Sequence, residues 1–176
     1  MKNSFLFLLM VFCFSCTKLK PRRPIHPKPS TTVYFEAMQQ NKILNNLEDE
    51  KILQIIKNDS TNTYYQSSNG FWYKYITKVE EDLPTPSKGN EVTFTYNITD
   101  LKDSIIYSQE ELGIKKYSVD KEDFISGLQK GIKLMKIGET ITFVIPSYSA
   151  YGITGDGNKI GINKSIKSTV TLTNIK

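Results

Sequence analysis

Residues 119–146 read "VDKEDFISGLQKGIKLMKIGETITFVIP". Ile125, Leu128, Ile132 and Met135 supply apolar surface in the first part. That part predicts a helix of about a dozen residues, with Asp120 or Asp123 as its N-cap and Gly138 closing it. "ETITFVIP" then reads as a strand ended by Pro146. The helix breaks a local rule. Gly127 and Gly131 sit inside it, each costing up to about 1 kcal/mol against Ala. They are four apart and share one face. A bare face lets a helix lie very close to a sheet or to bound backbone.

The flanking segments supply the sheet. "GFWYKYITK", "VTFTYNIT", "DSIIYS" and "SIKSTVTLTNIK" are β-branched or aromatic and read as strands, separated by turns such as "LPTPSKGNE". Short antiparallel strands with one helix before the last two predict an α+β fold, a sheet wrapped around a helix. Upstream, residues 35–57 are rich in helix formers and lack Gly and Pro. Met38, Ile43, Leu44, Leu47, Ile52, Ile55 and Ile56 fall at near-helical spacing, which predicts one or two helices packed on the domain. A dimerising or partner-binding helix is the alternative.

The N-terminus is of another kind. One Lys2 precedes an unbroken apolar run of ten residues, Phe5 to Phe14. That is too short to span a bilayer and matches the apolar core of a secretory signal. Ser15-Cys16 follows it, as at a bacterial lipoprotein cleavage site, so Cys16 is the expected lipidation site. The only cysteines are Cys13 and Cys16, which leaves the domain no disulfide and no thiol nucleophile. The 23 basic and 18 acidic residues give +5, but six of the basic residues lie at or before Lys28. Without them the balance is 17 against 18. The folded part is therefore near neutral and carries no basic footprint for nucleic acid. The organisation expected is a signal at 1–15, a Pro-rich basic tether at 16–32, a helical extension at 33–68 and one domain at 69–176. The tether should be extended, its basic residues drawn to anionic headgroups.

Much chemistry is excluded. His26, the sole histidine, lies in the tether. No Ser-His or Cys-His pair and no histidine metal site can form in the domain. "SYSAYGITGDGNKIGINKS" at 147–165 lacks the Lys-Ser/Thr ending of a phosphate loop and the ligand spacing of a calcium loop. No cofactor and no metal is expected. What remains is a tyrosine-and-aliphatic pocket, with Tyr96, Ile106, Tyr107, Ile125, Leu128, Tyr151 and Ile160 as candidates. Such a pocket suits rotation about a peptide bond preceding proline. The barrier there, about 18–20 kcal/mol, comes from amide resonance. An apolar pocket favours the twisted, less polar amide over the planar one.

"VTFTY", "FISGLQKGIKLMKIGE", "PSYSAYGITG" and "STVTLTNI", in this order, resemble FKBP-type peptidyl-prolyl isomerases over residues 70–175. With the lipoprotein start and the "YSQEELG" segment, the chain is most similar to the gliding-motility-associated lipoproteins of that family. The resemblance implies a five-stranded antiparallel sheet curled over one short helix, with the pocket between them. It implies that Tyr96, Ile106, Phe124, Ile125, Leu128, Tyr151 and Ile160 line the site. The Ile125 amide and the Tyr151 hydroxyl would hold carbonyls, and the glycines would form a mobile flap. Its clients would be proline-containing polypeptides; Thr-Lys rather than an acidic run follows Cys16, so the anchor in the cell envelope is expected to face the periplasm. Departures from the family pattern are Leu128 for a floor tryptophan, Ile106-Tyr107 for a Phe-Asp pair, Gly161-Ile162 for Pro-Pro, and Ser168 for a phenylalanine. The missing Asp and Ser168 favour the alternative, a catalytically weak binding module, whereas Tyr96, Ile125 and Tyr151 favour the isomerase, which is the reading preferred.

Overall fold

The computed structural model describes residues 30–176. The signal, Cys16, His26 and the tether before residue 30 lie outside the described residues. Helix α1 runs Ser30–Asn58 as one element, starting inside the stretch assigned to the tether. Residues Gln39–Lys176 form one compact unit.

Within this unit, eight strand segments follow. They are β1 (Tyr65–Gln66), β2 (Trp72–Thr77), β3 (Glu91–Tyr96), β4 (Ile98–Thr99), β5 (Ile105–Tyr107), β6 (Ile114–Ser118), β7 (Thr140–Ile145) and β8 (Ile166–Ile175). Two short helices interrupt them, α2 (Gln109–Leu112) and α3 (Ser126–Ile132). The sheet order is β1-β2-β7-β8-β3-β6, with β4 pairing β5 and β8. Every pair is antiparallel.

The α+β architecture is the expected one, but there are more strand segments than five. β3 and β4 are one chain path broken at Asn97. The Asn97 carbonyl accepts from Ser168 Oγ at 2.7 Å, and its side-chain oxygen accepts from the Thr169 amide at 2.9 Å. β1 adds a two-residue ribbon to the edge. β6 had no strand signal. It reads "IKKYS", with paired lysines at its centre and only Tyr117 fully buried.

The central helix is shorter than expected, and its N-cap is Ile125 rather than Asp120 or Asp123. Asp120 sits in a left-handed turn at φ 56°. Its carboxylate instead pairs with Lys133 Nζ at 2.9 Å. Gly138 is no helix cap either; its amide donates to the Leu172 carbonyl at 2.8 Å.

The glycine face does what its spacing predicts. A Cβ on Gly131 would stand 2.7 Å from the Phe143 ring, and one on Gly127 2.6 Å from Ile145 Cγ2. Only bare backbone lets α3 lie this close to β7. Ile141, Phe143 and Ile145 meet the helix side of the sheet. Val144, on the opposite face, is buried with Ile52 of α1 and Trp72. Both faces of β7 are thus covered, so its burial is nearly continuous. Ile52 is fully buried, whereas Ile43, Leu44 and Leu47 are more than half exposed. One buried isoleucine is worth about 1.5–3 kcal/mol. The packing of α1 on the sheet is therefore carried by its C-terminal turns.

Candidate active site

The site is built where β3, the entry to α3 and the segment after β7 converge. β3 alternates, so Val92, Phe94 and Tyr96 point to the core. Phe124, just before α3, meets three rings edge-on or tilted. Its centroid lies 5.9 Å from Phe94 and 5.7 Å from both Tyr96 and Tyr117. Tyr96, Ile125, Leu128 and Ile160 are buried in the same apolar cluster, and Ile106, Phe124 and Tyr151 pack against it half-buried. All seven candidate residues belong to the main hydrophobic core or pack against it. Cys16, the candidate lipidation site, lies outside the described residues.

Three polar groups at this apolar cluster have no internal partner: the Ile125 amide and the Tyr96 and Tyr151 hydroxyls. The Ile125 amide donates to no other described residue. The Tyr151 hydroxyl makes no hydrogen bond within the described chain and is not sealed from the surface. Burial pushes the Tyr151 phenol up, and Tyr96, Asp156 and Tyr107 nearby push it further. The hydroxyl is therefore a neutral donor at ordinary pH. Burial raises the Tyr96 phenol as well.

Tyr151 is aimed by the turn before it. Pro146 ends β7, and a single 3-10 turn, Ser147–Ser149, follows. The Ala150 and Gly152 amides donate to the Ser147 carbonyl at 2.9 and 2.8 Å. Ser126 Oγ of α3 donates to the Ser149 carbonyl at 3.1 Å. From the other side, Glu48 of α1 accepts from the Ser147 amide and hydroxyl, both at 2.8 Å, and from Ser165 Oγ. Its neighbour Asp49 accepts from the Tyr148 hydroxyl at 2.9 Å. Nothing local to Glu48 announces this role, since its partners are about a hundred residues away in sequence. A separate groove of about 750 Å³ opens between α1 and this turn and shares only Gly152 and Ile153 with the flap segment 151–160.

The flap closes on itself at Gly155. This residue has φ 70°, and a Cβ there would stand 2.4 Å from the Ile160 carbonyl oxygen. The Asp156 amide donates to that same carbonyl at 3.0 Å. At the departure from Phe-Asp, Tyr107 reaches across and donates its hydroxyl to Asp156 Oδ2 at 2.5 Å. Asp156 was missed from sequence, because its partner is 49 positions away. Ser168 is fully buried, and its hydrogen bond to the Asn97 carbonyl satisfies the break between β3 and β4.

The sequence and the fold have counterparts among known proteins. Residues 84–173, just over half of the chain, match the model of the family FKBP-type peptidyl-prolyl cis-trans isomerase. The chain belongs to this family. It is 33% identical over 109 residues to a probable FKBP-type peptidyl-prolyl cis-trans isomerase, FkpA, of Neisseria meningitidis serogroup B. That alignment covers 62% of this chain and 39% of the relative, so the chain spans well under half of that relative's length. The fold is similar to that of FkpA from Escherichia coli, with a TM-score of 0.61 at 21% identity, covering 100% of this chain and 82% of the other. It is also similar to a peptidyl-prolyl cis-trans isomerase of Pseudomonas syringae pv. tomato, with a TM-score of 0.59 at 19% identity, over 74% of this chain and 95% of that one. Tyr107, Leu128 and Ser168 are each packed or hydrogen-bonded in the fold.

Proposed function

We propose that the protein catalyses cis–trans rotation about X-Pro bonds in polypeptide clients, with no covalent step. The reading rests on the pairing of an apolar cup with two unengaged donors, the Ile125 amide and the Tyr151 hydroxyl. X-Pro bonds populate both isomers and interconvert in tens to hundreds of seconds unaided. Twisting such a bond ends its resonance and makes the amide less polar. Tyr96, Phe124 and Ile160 would surround the prolyl group with apolar surface, backed by Leu128 in the core beneath, which favours the twisted form. The two donors fix the flanking carbonyls, so that rotation is confined to one bond. Binding the transition state more tightly than the planar amide is what accelerates the step.

The test is a protease-free refolding assay limited by a slow proline step. The protein is expected to accelerate that step, and Tyr151→Phe to lower kcat/KM about tenfold with an unchanged fold. No acceleration by the folded protein would replace this reading with a binding module. Unchanged activity in Tyr151→Phe would remove the hydroxyl from the mechanism.

The setting we infer is the cell envelope, with a periplasm-facing lipid anchor at Cys16. The support is the ten-residue apolar run Phe5 to Phe14 ending at Ser15-Cys16. Clients would then be exported proteins, those of gliding machinery among them; that last point rests only on the likeness of the sequence to gliding-associated lipoproteins. Cys16→Ser is expected to move the protein from the membrane fraction to the soluble one. Retention in the membrane fraction would sink the anchor.

A further inference from the structure

The flap is held by a network that crosses from one side of the pocket mouth to the other. Asp156 is its hub. Oδ1 accepts from the Asn158 amide at 2.9 Å and the Ile160 amide at 2.8 Å, while Oδ2 accepts from the Tyr107 hydroxyl at 2.5 Å. The next flap residue inward, Lys159, lies over the Tyr107 ring at 4.6 Å and pairs with Glu111 of α2 at 2.6 Å. Its amide also reaches the Tyr107 oxygen at 3.4 Å. Tyr107 is thus gripped on its oxygen and on its ring face by two flap residues. Ile160, which the same carboxylate holds by its amide, is the flap's buried contribution to the cup.

From this geometry we infer that Tyr107 and Asp156 form a latch that positions the flap, and that both are positioning residues for the pocket side chains Ile160 and Tyr151. A carboxylate that accepts three hydrogen bonds from two chain segments can fix a glycine-rich loop that has little side-chain packing of its own. Each bond is charge-assisted and so stronger than a neutral one. Glu111 and Lys159 are exposed by close to half. Screening by solvent makes that ion pair the weaker arm. The latch supplies from the flap a carboxylate that the strand position 107 does not carry. Its catalytic consequence rests on the isomerase reading, but its mechanical consequence does not.

Three variants separate the two: Tyr107→Phe, Asp156→Ala and the double change. Exchange of the Ile160 and Asn158 amides, followed by NMR, reads the latch without any catalysis. Both single changes are expected to speed that exchange about tenfold, the size of one hydrogen bond to a charged group, and to raise KM more than they lower kcat. The double change should be no worse than Asp156→Ala alone, because the Tyr107 hydroxyl acts through that carboxylate. Additive losses in the double change would overturn the latch, as would unchanged exchange in Tyr107→Phe. If the unaltered protein catalyses no proline-limited refolding, the isomerase reading fails, and exchange still decides the latch. If it is active and the variants match it in KM and kcat while exchange rises, the positioning role is overturned.

Discussion

Leu128→Ala is expected to lower the unfolding free energy by about 2–5 kcal/mol. Leu128 is fully buried on the same face of α3 as Gly131, at the centre of the main core. Truncation would remove Cγ and its two methyl groups and leave a cavity, because α3 is already pressed against β7 and cannot move in to fill it. For a chain of this size each kcal/mol is about 2–4 °C in Tm. The contrast variant is Leu128→Met, which conserves volume and should cost less than about 1.5 kcal/mol. Urea unfolding of the three proteins side by side decides the matter. A loss below about 1 kcal/mol in Leu128→Ala would mean that the side chain faces open space rather than packed core, since cavity cost scales with the void left behind.

Gly155→Ala is expected to act in the opposite way, with a large effect on activity and a small one on Tm. The residue has φ 70°, and the added methyl would stand 2.4 Å from a backbone oxygen that cannot rotate away. The left-handed conformation alone costs an L-residue about 1–2 kcal/mol. The chain would relieve both by opening the loop between Asp156 and Ile160, and Ile160 would leave the cup. Misplacement by about 1 Å can cost on the order of 100-fold in rate. A loss of 10- to 100-fold in kcat/KM with Tm lowered by only a few degrees is the expected outcome. Full activity in this variant would show that closure of the flap has no part in catalysis.

Sequence and structure meet where the physics is local. Gly127 and Gly131 could be read as a bare helix face because spacing of four fixes the face, and β3 could be read because its side chains alternate. The seven candidate residues came from the family motifs, and the fold places each of them in or against the main core. What escaped had partners far along the chain. Asp156 looks like an ordinary turn residue until Tyr107 is placed beside it. Glu48 looks like one more helix surface carboxylate until Ser147 and Ser165 arrive. β6 was hidden by its two central lysines. The start of α3 was misplaced because the acidic residues at 120–123 resemble caps. Asp120 is instead committed to Lys133, and the chain must turn so that Phe124 can enter the ring cluster.

Trp72 is the chain's single tryptophan, and it is 4% exposed. It sits beside Ile52 and Val144 under the C-terminal turns of α1, on the opposite face of the sheet from the cup. Its indole nitrogen has no acceptor among the described residues. With one tryptophan in the sequence, no second indole competes. Emission from this protein therefore carries one optical signal. It shifts to the red when α1 lifts and water reaches the ring, and it stays constant when a proline peptide enters the cup. A fluorimeter alone can thus follow the seating of the helix on its own clock, separately from turnover.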